Sequence, residues 1–106
     1  MDSKDTLEII TSIIKKAVKP EKIILFGSRA TNSYSNDSDF DICVVVENLD
    51  DERQLAREIN REIFNNKLEV PVDVIAVDSK KYKQNMNRIG FIYKQIQENG
   101  VVVYAS

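Results

Sequence analysis

Apolar positions recur along this chain with two periods, and each change of period marks a change of element. Leu7, Ile10, Ile14 and Ala17 share one stripe at helical spacing, which predicts a helix over 6–18. Asp5 or Thr6 is placed to cap its start, and Pro20 stops it. KIILF, residues 22–26, reads as a short strand that halts at Gly27-Ser28, and a turn or short helix opens at Arg29. DFDICVVV, residues 39–46, predicts a second strand. Asp50, Asp51 and Glu52 suit a helix N-terminus and its dipole, and Leu55, Ile59 and Ile63 give that helix an apolar line. VPVDVIAV, residues 70–77, is a third strand with one charge inside it. Ser79 is placed to cap a helical stretch whose stripe is Tyr82, Met86, Ile89, Tyr93 and Ile96, and Gly90 is a point at which it can divide. Gly100 stops that stretch, and VVVY closes the chain as a strand. Helices alternating with strands predict a layered α/β or α+β fold with a small sheet, in one domain spanning 1–106.

Composition narrows the chemistry. The 106 residues are 42% hydrophobic and 30% charged, which is ordinary for a globular chain. No apolar run reaches the ~18–20 residues of a membrane helix. The polar start Met1-Asp2-Ser3-Lys4-Asp5 is unlike a signal peptide, so a cytoplasmic location is expected. The single cysteine, Cys43, has no partner for an internal disulfide. With no histidine beside it, a structural zinc site has almost no ligands to draw on, and any bound metal is expected to be a hard, oxygen-liganded one such as magnesium or manganese. The net charge of −2 argues against avid nucleic-acid binding. Its signs are also segregated: residues 37–52 carry seven acidic side chains and no Lys or Arg, whereas residues 79–99 carry five basic and one acidic. The acidic segment would repel phosphates unless a cation sits in it.

Three aspartates stand where strands should be apolar. Asp39 and Asp41, as i and i+2 of an extended run, project to one side ~6.5–7 Å apart, while Phe40 and Ile42 project to the other. Asp73 is the single charge in its apolar run, and a buried, unpaired carboxylate is costly. Taken singly, a D-x-D pair also fits a solvated edge or a turn cap, and Asp73 also fits an open sheet face. Gly27-Ser28 directly follows a strand, where glycine lets a ligand approach the backbone and exposed N–H groups with a serine hydroxyl suit phosphate oxygens. An isolated Gly-Ser is equally a plain capped turn. Together the pieces describe a nucleoside triphosphate site. Gly27 and Ser28 would hold phosphates, Asp39 and Asp41 magnesium, and Asp73 would help hold a second metal and orient an attacking hydroxyl.

Gly27-Ser28, ten intervening residues and Asp39-Phe40-Asp41 reproduce the G-S-x10-D-x-D signature, and on these residues the chain resembles the DNA polymerase β-like nucleotidyltransferases. Asp73 falls where that superfamily places its third metal carboxylate. The short length resembles its minimal nucleotidyltransferase (MNT) branch, with the similarity extending to the closing ENGVVVY. The resemblance implies an αβαβ-type α+β core with a mixed sheet and helices packed mainly on one face. It further implies two Mg2+ ions, or Mn2+ in their place, with ATP as substrate. One departure is Asn32, where many members have glycine. Arg29 leans toward phosphate or lies in solvent, Tyr34 stacks on a base or covers apolar surface, and Cys43 is expected to be an inert core residue.

Minimal nucleotidyltransferases are commonly the antitoxin half of HEPN–MNT toxin–antitoxin modules, in which AMP passes from ATP to a tyrosine of the HEPN ribonuclease toxin. The resemblance therefore implies a protein adenylyltransferase with a HEPN-type partner and no membrane or direct nucleic-acid ligand. The basic residues Lys80, Lys81, Lys83, Arg88 and Lys94 form either part of a docking surface or a solvated helix face. Two alternatives stay open: a non-catalytic binding antitoxin or assembly module, and nucleotidyl transfer to RNA or a small molecule.

Overall fold

A computed structural model of the chain describes residues 3–31, 38–86 and 92–106. Asn32, Tyr34, Arg88, Ile89 and Gly90, singled out above, lie outside the described residues. The elements run in the order α1 (Ser3–Ala17), β1 (Lys22–Phe26), a 3-10 turn (Ser28–Ala30), β2 (Phe40–Val46), α2 (Glu52–Asn65), β3 (Val72–Asp78), α3 (Ser79–Asn85), α4 (Ile92–Asn99) and β4 (Val101–Ala105). The four strands form one mixed sheet of order β3-β2-β1-β4. The β2–β3 pair is parallel, whereas β1 runs antiparallel to both β2 and β4. The parallel pair is joined through α2, the crossover such a pair requires.

Strand period divides the core. Phe40, Ile42, Val44 and Val46 of β2 join Ile23 and Leu25 of β1 and Val74 and Ala76 of β3 on one face. There they meet Ile10 and Ile14 of α1 and Leu55, Ile59 and Ile63 of α2. Cys43 and Val45 of β2, with Ile24, Phe26 and Val77, take the other face beneath Tyr82 of α3 and Ile96 of α4. The two long helices thus cover one face and the two short ones part of the other. Central strands β1 and β2 are buried on both faces, which explains their near-continuous apolar runs. Phe40, 1% exposed, sits at the centre of the larger cluster, and truncating it to alanine would cost about 3–5 kcal/mol.

The helix ends have local causes. Asp51 caps α2 by accepting from the Gln54 N–H at 3.0 Å, as the acidic run predicts. The cap of α3 is Asp78, which accepts from the Lys81 N–H at 3.3 Å, and not Ser79, which is buried as the first helical residue. Ala17, expected on the apolar stripe of α1, is exposed, whereas Thr6 takes a buried place on that helix. At Gly100 an added Cβ would run into the Ile96 carbonyl and the Ile24 side chain, so glycine lets α4 turn directly into β4. No helix among the described residues is long and apolar enough to cross a membrane.

Candidate active site

The parallel register sets Asp41 of β2 directly beside Asp73 of β3, and the antiparallel register sets Asp41 opposite Phe26 of β1. Neighbouring strands lie about 4.8 Å apart, so Asp41 and Asp73 are adjacent on one face of the sheet. Gly27 follows Phe26 with φ 76 and ψ −159, a region essentially open to glycine alone. A Cβ at this position would run into Asp41 Oδ2. The strand end and the glycine turn are therefore one constructed corner: the turn leaves room for a carboxylate that no other residue would admit. The chain then tightens through Ser28, whose carbonyl accepts from the Thr31 N–H at 3.3 Å, while Gly27 accepts from the Ala30 N–H at 3.1 Å.

Electrostatics single out Asp41. Burial, then the charge of Asp73, then that of Asp39 push its carboxyl above the usual carboxylate range. Among the described residues no hydrogen bond supports its charged form. Asp39 lies just ahead of β2 and is exposed. Asp73 is exposed as well, because β3 is an edge strand, so the expectation of buried carboxylates holds only in part and only for half-buried Asp41. What the structure brings together is a crowding of like charges around one partly desolvated carboxylate.

No group of three His, Cys, Asp or Glu side chains among the described residues is arranged as a ready-made metal cage. The donor chemistry nevertheless fits a hard cation. The three carboxylates offer oxygen alone, and the two that raise Asp41 are the repulsion a bound cation would relieve. Asp39, Asp41 and Asp73 are the side chains that would hold it.

Arg29 does not lie in solvent. It is 8% exposed, its Nε donates to the Ser38 carbonyl at 2.9 Å, and its guanidinium lies 4.1 Å from the centre of the Phe40 ring. It thus ties the glycine turn to the start of β2, just before Asp39. Cys43 is fully buried on the face of Asp41, and its thiol is pushed up to about 12 by burial and, less, by Glu52. The thiolate is the reactive form, so Cys43 is inert, as expected. The basic residues of α3 sit at the opposite end of the sheet. Lys80 and Lys83 border a depression with Glu47, Asn48 and Asp78, and Lys83 pairs with Glu21 at 3.2 Å. Sequence reasoning missed Asn60 and Phe64, which line a groove of about 650 Å³ that includes Asp73. Phe64, 81% exposed just outside the buried stripe of α2, was the legible signal.

Residues 8–106 match the polymerase beta nucleotidyltransferase family. Among solved structures, a toxin–antitoxin crystallised with AMP-PNP aligns with a TM-score of 0.69 at 18% identity, covering 93% of this chain and 73% of that one. A structure from Sulfolobus solfataricus assigned to the nucleotidyltransferases aligns with a TM-score of 0.62 at 18% identity, covering 93% of this chain and 77% of that one. No curated protein matches the chain in sequence. At that identity the two structures speak for the fold. The family match over 8–106, in a chain that sets Gly27, Asp41 and Asp73 at one strand end, shows that this protein belongs to the polymerase beta nucleotidyltransferases.

Proposed function

We propose that this nucleotidyltransferase passes AMP from ATP to a tyrosine hydroxyl of a partner HEPN-type ribonuclease toxin, and so acts as an antitoxin. The observation that carries the reading is Asp41, a carboxylate raised by burial and then by two like charges, with no hydrogen bond among the described residues, and seated against a turn that only glycine can make. Such a group favours a cation and the phosphates that come with it. Similarity to a toxin–antitoxin crystallised with AMP-PNP supports an adenine nucleotide and a toxin as partner.

In this reading Gly27 and Ser28 bind the phosphates through their N–H groups and the Ser28 hydroxyl, and Arg29 holds that turn in place from behind. Asp39, Asp41 and Asp73 would hold divalent magnesium, which supplies charge neutralisation at the α-phosphate and lowers the proton affinity of the acceptor. The acceptor oxygen forms its bond to the α-phosphorus as the bond from that phosphorus to the β-phosphate oxygen breaks. Pyrophosphate leaves, and Asp73 orients the acceptor O–H and takes up its proton. Positioning and electrostatics are most of the chemistry, so a small scaffold suffices.

The test is transfer of label from α-phosphate-labelled ATP, with magnesium, to protein in a lysate of the source cell, with Asp41→Asn alongside. A protein band labelled only by the unaltered chain is the expected result. Bound nucleotide with no labelled protein would overturn the reading. Neutralisation of the partner by Asp41→Asn as strong as that of the unaltered chain would replace it with inhibition by binding alone.

A further inference from the structure

Apart from Asp73, the lining of the groove beside it takes no part in the nucleotide chemistry. Phe64, Leu68, Val70 and Val72 line it together with Asn60 and Asp73. A phenylalanine 81% exposed, on a helix that buries Leu55, Ile59 and Ile63, has no role in this fold's core. Exposed apolar surface gathered in a concavity marks an interaction site. Lys67 and Glu69 are its other charged neighbours, one of each sign, so the groove lacks the basic character a nucleic acid would require.

The backbone of β3 adds a second observation. Asn60 Nδ2 donates to the Val74 carbonyl and Asn60 Oδ1 accepts from the Val74 N–H, both at 3.0 Å. This clip closes the outer edge of the sheet at Val74, a common protection of an edge strand. The Pro71 carbonyl accepts from the Phe40 N–H at 3.0 Å and so faces β2. By alternation along the strand, Val72 turns its N–H and C=O to the same outer edge as Val74. Among the described residues the edge is thus closed at Val74 and open at Val72, next to Asp73 and within the groove.

We infer that the groove seats an extended segment of the protein acceptor. An apolar side chain lies among Phe64, Leu68 and Val70, the segment's backbone pairs with Val72, and its hydroxyl reaches Asp73. This rests on the protein-adenylylation reading and specifies its substrate. Val70 and Asp73 are three residues apart, at most about 10 Å of chain, which places the apolar residue up to roughly three positions from the acceptor. Aromatic anchors of this kind dominate binding energy at interfaces.

The test uses a pool of peptides with a fixed central tyrosine and randomised flanks, incubated with the full chain, magnesium and α-labelled ATP. The expected result is enrichment of Leu, Ile or Phe two to four positions from the labelled tyrosine. For an enriched peptide, Phe64→Asp should raise KM about 10- to 100-fold with kcat within about twofold, and Phe64→Leu should restore most of the loss. Phe64 is exposed, so neither substitution threatens the fold. Labelled peptides without apolar selection, with Phe64→Asp unchanged, would overturn the groove and leave the transfer reading standing. Label entering RNA in preference to peptide, or Phe64→Asp dissociating a dimer without altering transfer, would overturn it too. No label in any peptide or lysate protein would remove both.

Discussion

The two ends of the β2–β3 ladder carry carboxylates of opposite character. At one end Asp78, opposite Val46, accepts from the Leu49 N–H at 2.9 Å and from the Lys81 N–H, while its own N–H donates to Glu52 Oε2 at 2.8 Å. The Leu49 bond first, with those at Lys81 and Lys80, draws its carboxyl below the usual range. At the other end Asp41 has no such donors among the described residues, and burial with two neighbouring carboxylates drives it the other way. A strand-end aspartate wired to backbone N–H groups holds structure. One left among its own kind awaits charge that the chain does not carry.

Substitution at each end should separate these roles. Asp41→Asn is expected to lower nucleotidyl transfer by about 10³-fold or more while leaving the melting temperature unchanged or raised, because it removes repulsion. A thermal melt beside the transfer assay reads both. Gly27→Ala should abolish transfer and also cost about 1–3 kcal/mol of stability, since an alanine must hold φ 76 and displace Asp41; denaturant unfolding measures it. Asp78→Asn should do the reverse of Asp41→Asn. It leaves one acceptor oxygen where Asp78 uses two, for the Leu49 and Lys81 N–H groups, and lowers the melting temperature by about 4–8 °C, with transfer by the folded protein within about twofold.

Cation and proton should act on the same contrast with smaller effect. Magnesium with a non-hydrolysable ATP analogue should raise the melting temperature of the unaltered chain by a few degrees, on the order of 1–2 kcal/mol of linkage, and leave Asp41→Asn unmoved. The pH dependence has opposite signs at the two ends. Asp41 is raised, so its ionised form opposes folding at neutral pH, and that penalty fades as pH falls through its folded pKa. Asp78 is lowered, so its contribution is present above about pH 4 and is lost as pH falls toward its folded pKa. The stability advantage of Asp41→Asn over the unaltered chain should therefore shrink on acidification from pH 7 to 4. The disadvantage of Asp78→Asn should shrink only below about pH 4.

Local chemistry was legible in the sequence, and tertiary placement was not. KIILF gave β1 with its bounds, because a short apolar run ending in Gly-Ser admits little else. The spacing of Gly27, Asp39, Asp41 and Asp73 pointed to residues of which strand register sets Asp41 beside Asp73 and next to the turn at Gly27, with Asp39 just ahead of β2. Nothing local told that β3 is an edge strand, so the apolar run around Asp73 suggested burial where the sheet gives exposure. Arg29 was weighed as a solvated or phosphate-facing charge, yet Phe40 and the Ser38 carbonyl, nine residues or more away, bury it. Ser79 was the obvious cap by residue type, but the last residue of β3 lies one step closer to the free N–H groups of α3.

The position of β1 has a kinetic consequence. Lys22 pairs with Val45 on one side and Ala105 on the other, so one flank of this strand closes over a short stretch of chain and the other over most of it. Because the entropy of loop closure grows with separation, β4 should dock late in folding and release early under native-state opening. Amide protons of Val101–Ala105 should then exchange with solvent before those of Phe40–Val46. Each such opening would also carry α4 and Ile96 away from Ile24 and Cys43, exposing the rear of the sheet while Asp41 and Asp73 keep their register.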